Sequence, residues 1–96
     1  MAAYIIADVT VTDADKMAAY RVWSTKAMQE HGAEILVRGG DAEPLEGPWH
    51  PTRIVLLKFA GGREAAKAFY ASEEYLAARQ SREHAAKMNM IVVEGT

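Results

Sequence analysis

Two arginines, Arg38 and Arg53, close the ends of the segment RGGDAEPLEGPWHPTR, with Glu46, Trp49 and His50 between them. A guanidinium is planar and presents its N–H donors as a fork, which suits a carboxylate held by two parallel hydrogen bonds. The partner is either Glu46, which would make the arginines a staple for the loop, or an anionic ligand. Trp49 sits among Pro48 and Pro51, and its indole either fills an apolar hole or subunit contact, or forms a stacking wall for an aromatic ligand. His50 is a candidate general base, since an imidazole is the side chain suited to proton transfer near neutral pH, although no nucleophile or orienting carboxylate stands at a recognisable spacing from it. Gly39, Gly40 and Gly47 let this path adopt positive φ, and the prolines stiffen it.

Other groups with chemical potential lie outside the loop. Tyr4 and Asp8 share one face of an alternating apolar run. There a carboxylate on a partly enclosed sheet could act as acid or base, with a phenol donating to a ligand oxyanion. The alternative is that Asp8 pairs with an Arg or with Lys58 and sets register. His31 ends a helical run, where an imidazolium also suits the helix dipole. Tyr75, Arg79 and Arg82 follow spacings of four and three, which puts a phenol and two guanidiniums on one side of a helix, either as an anion-binding edge or as a solvated face. His84 reads as solvated, and Ser72 as a helix cap with its hydroxyl committed to a backbone N–H. The three histidines are far apart with no HxH or HExxH pattern, so no metal site is signalled. No glycine-rich loop leads from a strand into a helix, so no nucleotide cofactor is expected.

The elements that must position these groups follow from periodicity. Ala3 to Val11 alternates and is rich in Ile, Val and Thr, as a strand is. Thr12 and Asp13 offer a helix cap, and Met17, Tyr20, Ser24, Ala27, Met28 and His31 recur at three- and four-residue spacings up to Gly32, a natural stop. Ala33 to Arg38 is a short strand ended by Gly39-Gly40, and Arg53 to Phe59 a third strand. An Ala-rich helix starts at Arg63. Ser72-Glu73-Glu74 then looks like a fresh N-terminus, which predicts a break near Ala71 and a second helical piece to about Ala86. Met88 to Glu94 is the fourth strand. The order βαββαβ is the ferredoxin-like, α+β arrangement, an antiparallel sheet with both helices on one face, in a single domain over residues 1–96. Alternation places Ile5, Ala7, Val9, Val11, Ile35 and Val37 toward the helices. The other face then carries Tyr4, Ile6, Asp8, Thr10, Glu34, Leu36 and Arg38. That face is too apolar to be left in water as a broad patch and too polar for a uniform core. A second copy packed on it would cover the apolar part and leave the charges around an enclosed cavity.

Composition bounds the function. Ninety-six residues make one domain with a thin core. A net charge of -2 gives no basic field for nucleic acid or for an anionic membrane surface. The absence of cysteine excludes disulfides, thiolate metal sites and Cys nucleophiles, and it suits a reducing compartment. The opening MAAYIIADVTV lacks a basic n-region, carries Asp8 inside its apolar run and is too short to span a bilayer, so the expected location is the cytoplasm.

Several motifs together resemble a known family: the opening AYIIADVTVTD, His31-Gly32, LVRGG from Leu36 to Gly40, LEGPWHPTR from Leu45 to Arg53, FYASEEY from Phe69 to Tyr75, Arg82 and the closing VVEG. They are similar to the bacterial family called domain of unknown function 1330, in the dimeric α/β-barrel group of ferredoxin-like proteins. The resemblance implies a ferredoxin-like fold and a dimer. The family typically has a Trp-Tyr pair where this chain has Phe69-Tyr70, so Tyr70 is kept and the indole is not. Related dimeric α/β-barrel families include cofactor-independent monooxygenases, isomerase-like enzymes and haem-handling proteins, which is an analogy of fold.

The expectation is a homodimer that binds a small anionic or aromatic metabolite between sheet and helices, with Arg38, Glu46, Trp49 and Arg53 at the rim, Tyr4 and Asp8 at the floor, and Tyr75 and Arg82 as further ligand contacts. Any chemistry would be acid-base or cofactor-free and would use Asp8, His31 or His50 with a tyrosine such as Tyr70. The rival is a non-catalytic binding or structural dimer in which the Arg/Glu/Trp loop is a staple.

Overall fold

Ile5, Ala7 and Val9 alternate with Tyr4, Ile6 and Asp8, so β1 (Ala3–Val11) has one apolar face that must be covered. The computed structural model, which describes residues 1–96, covers it with three helices. The remaining elements are α1 (Ala14–Glu30), β2 (Glu34–Asp41), β3 (Arg53–Phe59), α2 (Arg63–Ala71), α3 (Glu73–Ser81) and β4 (Ala86–Glu94). The strands form one antiparallel sheet in the order β2-β3-β1-β4, so the first and third strands are central and the second and fourth are edges. This is the α+β, ferredoxin-like arrangement. The molecule measures 33 × 31 × 16 Å, and its shortest dimension holds only one sheet and one layer of helices.

The apolar stripe of α1 lies where its spacing predicts. Met17, Tyr20, Ser24, Ala27 and Met28 are buried against the sheet. Asp13 caps the helix by accepting from the Lys16 N–H at 3.2 Å, and Gly32 ends it with a φ of 67°, which only glycine adopts at little cost. The break expected near Ala71 is present at Ser72, whose backbone is extended. Its Oγ accepts from the Tyr75 N–H at 3.1 Å and donates to the Phe69 carbonyl at 2.7 Å, so one side chain closes α2 and opens α3.

Several boundaries differ from the sequence expectation, and β4 begins at Ala86 rather than Met88. The second helical piece stops at Ser81 rather than near Ala86, because His84 takes a φ of 63° and turns the chain into β4. The Ala85 carbonyl there accepts from the N–H groups of Thr12 and Asp13 at 2.8 and 2.9 Å, which ties the turn to the end of β1. The second strand runs on through Gly39-Gly40 to Asp41, because the glycines serve as a bulge rather than a stop.

That bulge and another before it change which side chains face the helices. Register with β3 shifts between Ile35 and Val37 and again between Arg38 and Gly40. Side chains alternate with a period of two, so one extra residue exchanges the two faces. Val37 opposes Leu56 on the open face, and Arg38 opposes Val55 on the face that carries Ala7. Both placements reverse the uninterrupted alternation expected for Ala33 to Arg38.

The Ser72 cap yields a direct test. Ser72→Ala is expected to cost about 1 kcal/mol and to lower Tm by about 4–8 °C in differential scanning calorimetry. An unchanged Tm would show that the junction between α2 and α3 is held by packing alone.

Candidate functional site

Between the sheet and the helices lies a cavity of about 340 Å³. Its sheet wall includes Ile5, Ala7, Val9, Val55, Leu57, Met88 and Met90. Its helix wall includes Met17, Tyr20, Ser24 and Met28 from the first helix, Phe69 from the second and Tyr75 from the third. Every methionine after Met1 lines it. An adjoining recess shares Val11, Met17, Arg21 and Arg53 with it and also touches Thr10 and Thr52, which places an opening between the start of α1 and the start of β3.

Three arginines, Arg21, Arg38 and Arg53, are the charged residues of the lining, and no carboxylate is among them. Arg38 reaches the cavity because of the bulge, and its Nη2 donates to Thr25 Oγ1 at 2.7 Å and to Ser24 Oγ at 3.4 Å. Arg53, two residues before Val55 on the same face of β3, passes Gly39, where an added Cβ would stand 3.9 Å from its Cδ, and lines the cavity as well. Asp41 opposes Arg53 in the ladder without forming an ion pair with it.

The polar groups of the helix wall are connected. The hydroxyls of Tyr20 and Tyr75 are 2.8 Å apart, with the rings edge to face at 6.2 Å. Ser24 lies one helical turn beyond Tyr20 and donates to the Arg21 carbonyl at 3.3 Å while it accepts from Arg38. Burial pushes the Tyr20 hydroxyl above its ordinary pKa, against an opposing pull from its bond to Tyr75 and from Arg82 and Arg38. Burial raises Tyr75 further, and the adjoining Tyr20 adds to the rise. Both phenols are therefore neutral at physiological pH. Phe69 packs on Tyr75 at 4.6 Å and on Phe59 at 5.3 Å, which fixes the Tyr75 ring from behind.

Of the residues singled out from sequence, Arg38, Arg53 and Tyr75 meet at this cavity. The others lie elsewhere. Tyr4 and Asp8 are on the open sheet face, opposite Lys58 and Ile54, and Asp8 accepts from Trp49 Nε1 at 3.0 Å. Glu46 and His50 are exposed in the loop, and Glu46 pairs with neither arginine. The contact that holds the loop to the sheet is therefore Trp49 to Asp8, rather than Arg to Glu. His31 sits at the end of α1, 3.9 Å from Glu74 and edge-on to Phe69. Tyr70 lies half-exposed under Arg79, whose guanidinium is 4.4 Å from the ring centroid and donates to its hydroxyl at 3.4 Å. Arg82 lies over the Tyr20 ring at 5.7 Å, and its Nε is buried without a partner. The residues Asp8, His31, His50 and Tyr70 thus occupy four separate places. Histidines, aspartates and glutamates nowhere form a group of three or more that could hold a metal ion.

Sequence reasoning left Arg21, Tyr20 and Ser24 out of the site. A usable signal was present for the last two. They sit at i and i+4 inside an otherwise apolar buried stripe, and buried hydroxyls must find partners.

No helix is long and apolar enough to cross a membrane. The fold is similar to that of solved proteins of low sequence identity. A protein of unknown function from Rhodopseudomonas palustris matches with a TM-score of 0.75 and 18% identity, over 99% of this chain and 82% of that one. An antibiotic biosynthesis monooxygenase-like protein from Nitrosomonas europaea matches with a TM-score of 0.59 and 21% identity, over 99% and 98% of the two chains. A dimeric protein of unknown function and ferredoxin-like fold from Bacteroides fragilis matches with a TM-score of 0.59 and 12% identity, over 98% and 96%. At these identities the likeness concerns the fold. Among curated proteins none matches. The family model described as domain of unknown function (DUF1330) matches residues 2–96, from the first strand to the end of the fourth, and the chain belongs to that family.

Proposed function

We propose that the protein is a homodimer that binds, in each subunit, one small organic anion with an apolar body. The observation that carries the ligand reading is the charge of the cavity lining: three guanidiniums and no carboxylate, set on walls that are otherwise mostly apolar. Guanidiniums close to one another repel, and the repulsion is felt most where apolar walls lower the local dielectric. A carboxylate placed among them removes it and gains charge-assisted hydrogen bonds. A volume of about 340 Å³ is at the small end for ligand sites and accommodates one ring with a short side chain. Thioethers are flexible and polarisable and make favourable contacts with ring edges, so the four cavity methionines suit an aromatic body. The staple alternative is less well supported for the arginines, because Glu46 does not engage them and Trp49 ties the loop down by another route. Since Asp8, His31, His50 and Tyr70 do not line the cavity, the reading is of binding rather than acid-base catalysis by those groups.

Support for the homodimer comes from the open sheet face. Ile91 and Val93 are 60% and 42% exposed there, and Leu36 and Val37 extend apolar surface along the opposite edge strand. Asp8, Lys58 and Lys87 interrupt it with isolated charges. An antiparallel sheet can leave one face in water when that face is polar, and this one is not. The dimeric Bacteroides fragilis neighbour supplies a precedent in the same fold.

Two experiments follow. In calorimetric titrations, phenylacetate is expected to bind at least ten-fold more tightly than 2-phenylethanol, which corresponds to about 1.4 kcal/mol. Arg53→Met should erase that preference while leaving Tm within about 2 °C, because the arginine contributes no ion pair to the fold. Equal affinity for the acid and the alcohol would overturn the anion reading. Light scattering at micromolar concentration should give twice the chain mass, and Ile91→Glu should shift it toward the monomer. A monomeric wild-type protein would refute the dimer.

A further inference from the structure

Building on the anion-binding reading, we infer that the ligand is a hydroxyaryl carboxylate whose hydroxyl is held by the Tyr20–Tyr75 pair. A phenol offers one donor and has acceptor capacity as well. The Tyr75 hydroxyl has a single protein partner, the Tyr20 hydroxyl at 2.8 Å. If Tyr75 donates, its own lone pairs are unused; if it accepts, its own proton is unused. Either way an unfilled polar valence lies in a side chain only 1% exposed to solvent, and both tyrosines line the cavity. A ligand group placed there can use that capacity without breaking the Tyr20–Tyr75 bond. A ligand hydroxyl, which both donates and accepts, fits whichever arrangement the pair takes.

The position of the pair sets where on the ligand that hydroxyl must be. A polar line runs along the helix wall from Tyr75 to Tyr20 at 2.8 Å, then one turn along α1 to Ser24, and from there to Arg38 at 3.4 Å. A carboxylate engaged by Arg38 would therefore lie at one end of this line and Tyr75 at the other, so the ligand needs an oxygen function at each of two ends. The ring would then lie among the methionines. Behind the pair, Arg82 over the Tyr20 ring adds positive potential that favours an electron-rich oxygen in front of it. An aliphatic carboxylate, or an aryl acid without the hydroxyl, would fill the arginine end and leave the phenol end unused.

The test compares 4-hydroxyphenylacetate with phenylacetate by calorimetry on the full chain. The hydroxylated acid should bind five- to ten-fold more tightly. Tyr75→Phe and Tyr20→Phe should each reduce that advantage to less than two-fold while phenylacetate affinity stays within two-fold of wild type. A readout that needs no variant uses wild-type protein labelled with ¹³C at the tyrosine Cζ. Saturation with 4-hydroxyphenylacetate should move the Tyr20 and Tyr75 resonances, and phenylacetate should move them little. Equal affinity for the two acids, with the preference for phenylacetate over 2-phenylethanol intact, would overturn this inference and leave the anion reading standing. Loss of the preference for the acid over the alcohol would remove both. Unmoved Cζ resonances with 4-hydroxyphenylacetate bound would also overturn it, by placing the hydroxyl elsewhere.

Discussion

The phase of β2 is the constraint on which the cavity depends. Strand alternation admits no intermediate, since a side chain points to one face or the other. The register shift after Ile35 turns Arg38 onto the helix side, where it meets Ser24 and Thr25 of α1. The second shift, at Gly39, lets the ladder continue to Asp41, opposite Arg53. Without the first shift, Arg38 would point to the open face and the cavity would lose the guanidinium that connects it to the first helix. A φ of 74° at Gly39 would be strained for any residue with a side chain. Bulges near sites commonly re-aim a side chain in this way.

Two residues in the wall of the space that these arginines flank are small. Ala7, near the middle of β1, and Ser24, near the middle of α1, both line the cavity at positions where larger side chains would interdigitate. Around them the core is well filled: Phe69 and Tyr75 form one side of the cavity, Phe59 packs on Phe69, and Ala66 and Ala78 are fully buried with them. The cavity is thus bounded by rigid aromatics on one side and by adaptable thioethers on others. A domain this thin has little interior to spare. Leaving part of it open costs dispersion contacts, and that fits a space with a use.

Much of the fold was legible because its signals are local and periodic. The stripe Met17, Tyr20, Ser24, Ala27, Met28 is a helix face whatever it packs on, and Ser72 before two glutamates is a capping signature that the hydrogen bonds at Ser72 match. The faces of β1 were equally plain. The faces of β2 were not, because a bulge adds a residue without leaving a mark in the hydropathy pattern, and Gly39-Gly40 reads as a strand stop as readily as a bulge. The same ambiguity moved the site. Reading the arginines as bracketing the loop gathered Glu46, Trp49 and His50 with them, whereas the loop goes to the open face through Trp49 and Asp8. Tyr20 and Ser24 were legible as buried and illegible as polar wall, since pairing with Tyr75 spans fifty-five residues of sequence.

The kinds of groups that do converge say what sort of site this is. General acid-base chemistry uses a group that changes protonation near the working pH. The cavity instead collects arginines, which stay charged, and phenols that burial holds neutral. Its charge is therefore fixed across the physiological range, while the three histidines, His31, His50 and His84, all sit outside it. A fixed positive end, an apolar middle and a neutral hydrogen-bonding end describe recognition of a molecule by shape and polarity along its length. Any bond-making step at such a site would have to draw its reactivity from the bound molecule, with the protein supplying orientation and a stable electrostatic field.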